Sequence, residues 1–143
     1  MIVKQLSVFL ENRAGRLAEV IGVLGDAGVN IRALSVAETA DFGVVRMIVA
    51  DADKAHGLLK EHSITSAETG VIAIEVPDKP GGLAELLQTV AGTGVNIEYM
   101  YAMLERREEK AVMIFRIDDT EAGLKKLQDA GVKVLEPAEV YEL

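Results

Sequence analysis

Apolar and polar positions alternate near the start of the chain, where Leu6, Val8 and Leu10 interleave with Gln5, Ser7 and Phe9. A period of two predicts a β-strand with one face toward a core. After the turn Glu11-Asn12-Arg13-Ala14-Gly15 the period changes: Leu17, Val20, Ile21 and Leu24 have the spacing of an amphipathic helix. Asn12 suits an N-cap, and Gly28 suits the left-handed position past a helix end. A strand from Ile31 to about Glu38, a turn over Thr39 to Gly43 and a strand from Val44 to Ala50 then read as a hairpin. Asp51 to Lys60 reads as a second helix, and Ile64 to Glu68 as a last strand.

The same order recurs. A shift of 66 positions lays Gly15, Leu17, Ala18 and Glu19 on Gly81, Leu83, Ala84 and Glu85, and Gly28-Val29-Asn30-Ile31 on Gly94-Val95-Asn96-Ile97. The shift also matches Met47-Ile48 with Met113-Ile114 and Gly57-Leu58 with Gly123-Leu124, so the register is expected to run without a gap. The second copy opens on Ile72, Ile74 and Val76, turns at Pro77-Asp78-Lys79-Pro80-Gly81, and continues through a helix bearing Leu83, Leu86, Leu87 and Val90. Asp78 is the matching N-cap, Pro80 suits a first helical turn, and Gly94 is the stop. Strands at Ile97 to Leu104 and Lys110 to Ile117, a helix at Asp119 to Ala130 and a strand at Val132 to Leu135 complete it. Each copy is β-α-β-β-α-β, the ferredoxin-like arrangement. The chain is therefore expected to be an α+β protein of two tandem units, residues 1–69 and 70–143, each an antiparallel sheet with helices on one face.

Composition narrows the function classes. Acidic residues number 23 against 15 basic ones, a net charge of −8, which repels phosphate backbones and anionic membrane surfaces. No nucleic acid and no membrane partner are expected. Cysteine is absent, so there is no disulfide framework and no thiolate chemistry, as suits a reducing compartment. The first residues carry no signal-peptide pattern, and apolar runs such as Ala111 to Phe115 are far shorter than the roughly 18 residues of a membrane span. A soluble, cytoplasmic protein is expected.

The recurring loop carries the candidate chemistry. A helix N-terminus offers N–H groups and positive dipole character to a carboxylate. Gly15 and Gly81 leave the backbone open to approach, Asn12 and Asp78 can accept from an ammonium, and the amides of Asn30 and Asn96 both donate and accept. Brought within a few ångströms, such groups would hold a zwitterion. Arg13 and Arg16 flank the first loop and Lys79 the second, each a possible carboxylate partner.

A strand ending in Asn12-x-x-Gly15-x-Leu17-Ala18-Glu19, followed by Gly28-Val29-Asn30-Ile31, resembles the ACT domain family. The second copy, Asp78-Lys79-Pro80-Gly81-Gly82-Leu83-Ala84-Glu85 with Gly94-Val95-Asn96-Ile97-Glu98, fits the family's pattern more closely. The first copy departs from it with Asn12 in place of the usual Asp and Ala14 in place of the usual Pro. The resemblance covers nearly the whole chain, twice, and is to small stand-alone tandem ACT proteins. It implies a regulatory protein that senses an amino acid at interfaces between paired ACT units, works as a homodimer and needs no cofactor. By that resemblance the ligand-binding residues are Asn12, Ala14, Gly15, Arg16, Leu17, Asn30 and Ile31 in the first copy. In the second they are Asp78, Pro80, Gly81, Gly82, Leu83, Asn96, Ile97 and Tyr99. The alternative is a regulatory small subunit of a biosynthetic enzyme such as acetolactate synthase.

Other motifs carry less. Asp41-Phe42-Gly43 copies a kinase triplet but sits in a hairpin without a Gly-rich phosphate loop. Lys79-Pro80-Gly81-Gly82 lacks the Gly-Lys-Ser/Thr of a P-loop. His56 and His62 lie on or just past the second helix without Cys or a tight carboxylate cluster and read as solvated rather than metal-binding. Tyr99 and Tyr101 share one strand face, where packing is the plainer role and lining a site the alternative. No nucleophile with an adjacent base is found, so the chain is not expected to be an enzyme.

Overall fold

The period-two stretch folds as strand β1 (Val3–Glu11) and the helical period after it as α1 (Arg16–Asp26). The chain continues through β2 (Ile31–Glu38), β3 (Phe42–Val49), α2 (Ala52–Glu61) and β4 (Ser66–Pro77). The second series is α3 (Gly82–Thr93), β5 (Ile97–Ala102), β6 (Lys110–Ile117), α4 (Thr120–Asp129) and α5 (Pro137–Tyr141). This computed structural model describes residues 1–38, 41–105 and 108–143. Thr39 and Ala40 of the first expected hairpin turn, and Arg106 and Arg107 of the second, lie outside the described residues.

The described residues divide into two compact units, Lys4–Thr69 and Gly70–Leu143 with Met1–Val3. In the N-terminal unit β1 and β2 both pair antiparallel with β3. Leu6, Val8 and Leu10 meet Val45, Met47 and Val49 on one sheet face, and Val20 and Leu24 of α1 with Ala55 and Leu59 of α2 close over them. Each such fully buried aliphatic side chain contributes about 1.5 to 3 kcal/mol of transfer free energy. Gln5 and Ser7, the polar half of the alternation, are buried as well, and the Gln5 amide donates to the Ser7 hydroxyl at 3.1 Å. In the C-terminal unit β4 and β5 pair antiparallel with β6. Ile72, Ile74, Val76, Phe115 and Ile117 form its core with Val90 of α3 and Leu127 of α4. Both units are therefore ferredoxin-like α+β folds with helices on one sheet face.

Four expectations are corrected. The ungapped register fails after the second strand of each copy. Val8 faces Val45, whereas its equivalent Ile74 faces Met113, so the offset is 66 in β1/β4 and 68 in β3/β6. The chain between equivalent residues of β5 and β6 is thus two residues longer than that between β2 and β3: Met100 faces Phe115 where Leu34 faces Met47. The matches of Met47-Ile48 with Met113-Ile114 and of Gly57-Leu58 with Gly123-Leu124 are coincidences; Met47 is equivalent to Phe115, and Ala55 to Gly123. With the corrected offset the backbones agree in detail. Asp51 and Asp119 each cap a helix by accepting from the N–H three residues on. Ile64 donates to Leu59 as Val132 donates to Leu127. The register also shifts at the same place, between Ile31 and Ala33 in β2 and between Ile97 and Tyr99 in β5.

The two expected strands, Ile64 to Glu68 closing the first copy and Ile72 to Val76 opening the second, join in a single strand; β4 runs unbroken from Ser66 to Pro77. Val132 to Leu135 forms only an isolated bridge, Val134 to Ile74, and the chain then enters α5 with Pro137 in its first turn. Proline supplies no N–H to a ladder and favours a helix start, which ends the strand early. His56 is half-buried rather than solvated, with Nδ1 2.7 Å from the Ser66 hydroxyl.

Candidate functional site

The strand-to-helix loops of the two units have one backbone. In each, the residue after the strand hydrogen-bonds across to the hairpin: Asn12 N–H donates to Asp41 O at 3.0 Å, and Asp78 N–H to Glu109 O at 3.2 Å. A tight turn follows, in which Arg13 N–H donates to Glu11 O and Lys79 N–H to Pro77 O, both at 2.9 Å. The helix then starts at a left-handed glycine, Gly15 with φ 82° or Gly81 with φ 84°. These glycines, not Asn12 and Asp78, are the N-caps. Pro80 precedes the cap instead of opening the helix. An Asx residue three positions upstream of a glycine reads as a cap, but the left-handed glycine itself turns the chain, and its carbonyl begins the ladder by accepting from Glu19 N–H or Glu85 N–H at 3.0 Å.

Arg16 N–H donates to Arg13 O at 3.3 Å and Gly82 N–H to Lys79 O at 3.0 Å, but no side chain caps α1 or α3, which leaves the next N–H groups, of Leu17 and Ala18 or Leu83 and Ala84, to a ligand. A Cβ on Gly15 or Gly81 would meet nothing within 4 Å, so the space beside both is open. Each loop borders a shallow hollow. The first, about 150 Å³, is lined by Asn12, Arg13 and Leu17 together with Leu10, Val36 and Gly43. The second, about 420 Å³, is lined by Pro77, Asp78, Lys79, Glu109 and Lys110. Val36, Gly43, Glu109 and Lys110 escaped the sequence reading, because they join the loop only through the antiparallel pairing of the hairpin with the first strand. Leu17 and Leu83, apolar positions of the helical period, stand 37% and 38% exposed beside the loops. Ala14 and Pro80 are exposed at the loop crests.

The asparagines expected to complete a zwitterion clamp are elsewhere. α3 has 12 residues and carries the chain about 18 Å from Gly81 to Gly94 at 1.5 Å per residue. Asn96 therefore lies at the far end of the helix from Asp78, as Asn30 does from Asn12. The Asn96 amide donates to Asp118 at 3.2 Å and borders a separate hollow of about 140 Å³. Ile31 and Ile97 pack against their cores, and Tyr99 is half-buried. Within one unit, the loop residues and the Asn30 or Asn96 group are not brought together.

Charge around the first loop is already engaged. Arg13 pairs with Glu11 at 3.1 Å, and Arg16 Nη1 lies 3.1 Å from Glu19. The Arg13–Glu11 pair is exposed and exchanges partners at little cost, whereas the Arg16 side chain is only 15% exposed. Ionisation is perturbed at another place, where Lys4 Nζ lies 3.0 Å from Asp53 and 3.7 Å from Glu68. The hydrogen bond from Lys4 holds the Asp53 carboxyl below its ordinary range, and the ammonium of Lys4 is pushed up in turn. Glu68 is pushed up by its hydrogen bond with Asp53 and by burial. Among the described residues no three His, Asp or Glu side chains gather to hold a metal, and no helix is long and apolar enough to cross a membrane.

A family model described as an ACT domain pair matches residues 1–140. No curated protein matches the sequence. Among solved structures, protein BT0572 from Bacteroides thetaiotaomicron is 40% identical and superposes with a TM-score of 0.92, over 100% of this chain and 98% of that one. The regulatory subunit of aspartate kinase from Thermus thermophilus has a TM-score of 0.62 at 20% identity, covering 89% of this chain and 91% of its own. That of Thermus flavus has a TM-score of 0.60 at 18% identity, covering 90% and 92%. These two likenesses are of fold.

Proposed function

Because this chain belongs to the ACT domain pair family, we propose that it is a non-enzymatic regulatory protein that binds a free amino acid through its strand-to-helix loops. The observation that carries this reading is the identical uncapped helix start beside open space in both units, with Asn12 or Asp78 on the same loop. First-turn N–H groups suit a carboxylate, and the Asx side chain suits an ammonium. Since Asn30 and Asn96 lie at the far helix ends within their own units, they contact the same ligand only when the loop of one ACT unit meets the β2 or β5 start of another. The site is therefore proposed at an interface between ACT units in a homodimer. Binding there shifts the pairing of chains and so the activity of a partner.

Thermal-shift screening against the proteinogenic amino acids tests this. A ligand at about 100 times its Kd stabilises the folded state by about 2.7 kcal/mol. Asp78→Asn keeps the loop's shape and removes the charge, so it is expected to weaken binding about ten-fold, and more than Asn12→Ala does. No shift with any amino acid, together with silent calorimetry, rejects the reading. A catalytic chain that copurifies places the protein as a subunit of an enzyme.

A further inference from the structure

Arg16 and Gly82 hold equivalent positions, each directly after the left-handed glycine. In the N-terminal unit the Arg16 side chain is only 15% exposed, and its Nη1 contacts Glu19 at 3.1 Å. Its Nε is buried. The equivalent of Glu19 is Glu85, since both N–H groups donate to the left-handed glycine at 3.0 Å. The C-terminal unit thus keeps the carboxylate and lacks the guanidinium. In its place is a cleft of about 320 Å³, at the small end of the range for small-molecule sites.

Pro77 of β4, Gly82, Glu85 and Thr89 of α3, and the turn Gly131 to Lys133 wall this cleft. Gly82 cannot be filled from within: a Cβ there would collide with the Pro77 carbonyl oxygen. Lys133 is a second departure from the first repeat, which has Thr65; Phe9 N–H donates to Thr65 O at 3.0 Å, and Glu75 N–H to Lys133 O at 3.2 Å. Lys110 and Glu75 also line the cleft and pair at 3.8 Å, so their charges offset one another. Among the described residues, Glu85 and Lys133 are the lining charges with no ion-pair partner.

We propose that this cleft binds a small molecule bearing both a guanidinium and a carboxylate, with arginine as the simplest example. Its guanidinium meets Glu85 as Arg16 meets Glu19, and its carboxylate meets Lys133. A planar guanidinium matches a carboxylate with two parallel N–H donors, a geometry an ammonium does not reproduce. The cleft lies within one unit, so the site does not depend on the interface site proposed above.

Titration calorimetry on the full chain with L-arginine and with agmatine, which has the guanidinium but no carboxylate, separates the contacts. Arginine is expected to bind, agmatine about ten-fold more weakly. Glu85→Gln, at an exposed position that keeps the helix, should weaken both by ten-fold or more. Lys133→Met should weaken arginine alone. Absence of arginine binding, or arginine affinity untouched by Glu85→Gln in a chain with native far-ultraviolet dichroism, overturns the proposal. An arginine response lost in Asp78→Asn but kept in Glu85→Gln belongs to the loop site and also overturns it. Agmatine binding as tightly as arginine removes Lys133 from the site and with it the carboxylate requirement.

Discussion

Gly81 and Gly82 are neighbours in one turn, yet replacing each with alanine should have very different consequences. Gly81 has φ 84°, and a Cβ there meets nothing within 4 Å. The cost of Gly81→Ala is therefore that of holding an L-residue in the left-handed region, about 1 kcal/mol. At Gly82 the Cβ collides with the carbonyl of Pro77. That oxygen cannot step aside freely: Pro77 is paired with Lys110 in the sheet, and its carbonyl accepts from Lys79 N–H at 2.9 Å. Relief requires opening the turn, which combines an overpacking cost of about 1 to 3 kcal/mol with loss of a hydrogen bond of about 1 kcal/mol. Gly82→Ala should thus cost about 3 kcal/mol, against about 1 for Gly81→Ala. For a chain of this size each kcal/mol moves Tm by about 3 °C, so the two variants should melt about 3 °C and 9 °C below the parent. Urea unfolding with unchanged m-values gives the same difference free of heat-capacity effects. If Gly82→Ala costs no more than Gly81→Ala, the close approach of Pro77 does not constrain the turn. Gly81→Ala also isolates the loop's function, because it fills the open space while leaving the fold in place.

Two further outcomes follow from the comparison of repeats and from the charge cluster. Ser63, with φ 59°, stands where the second repeat has Gly131, so Ser63→Gly should raise stability by about 0.5 kcal/mol in urea unfolding, and a loss of stability refutes the equivalence. At the Lys4 cluster, carboxyl-carbon NMR should show Glu68 taking up its proton first as pH falls, above the usual carboxylate range, and Asp53 last, below it. The depressed Asp53 lends stability that is present above its ordinary range and lost as pH falls through its folded value. The raised Glu68 acts in the opposite sense: its contribution is present in acid and lost as pH rises through its folded value. Lys4→Met should move the Asp53 titration upward; an unmoved titration removes the ammonium as the cause.

Element types were legible in the sequence wherever a period was long enough to read, as at Leu6 to Leu10 or Leu17 to Leu24, because burial of one face imposes that period. What failed was anything set by spatial rather than sequential neighbours. Two extra residues in the second hairpin left no mark in composition, and a few chance identities, Gly57 with Gly123 among them, masked the gap. Asn12 and Asp78 carry capping chemistry, but the left-handed glycine three residues on determines where the helix begins. Asn96 looked near Asp78 because both belong to one motif; a 12-residue helix keeps them apart. The cleft beside Glu85 was invisible for the same reason, since Gly82, Thr89 and Lys133 meet only in three dimensions.

The corrected alignment bears on how a duplicated regulator responds to its ligand. Backbone devices persist in both copies: left-handed glycines at Gly15 and Gly81, capping aspartates at Asp51 and Asp119, and positive φ at Ser63 and Gly131. Side chains at the loops do not persist. Asn12 stands against Asp78, Arg16 against Gly82, and Thr65 against Lys133. If the shared backbone alone governed binding, both loops would take a ligand with one affinity, and occupancy would rise in one step. With a charge present at Asp78 and absent at Asn12, a zwitterion bound at the loops as proposed would meet unequal partners. A difference of 1.4 kcal/mol between them separates the two affinities ten-fold. A ligand shifts an equilibrium only by its differential affinity for the two states. The second repeat would then respond at ligand levels where the first is still mostly empty, giving a graded response over a wider range of concentration than two equal sites allow.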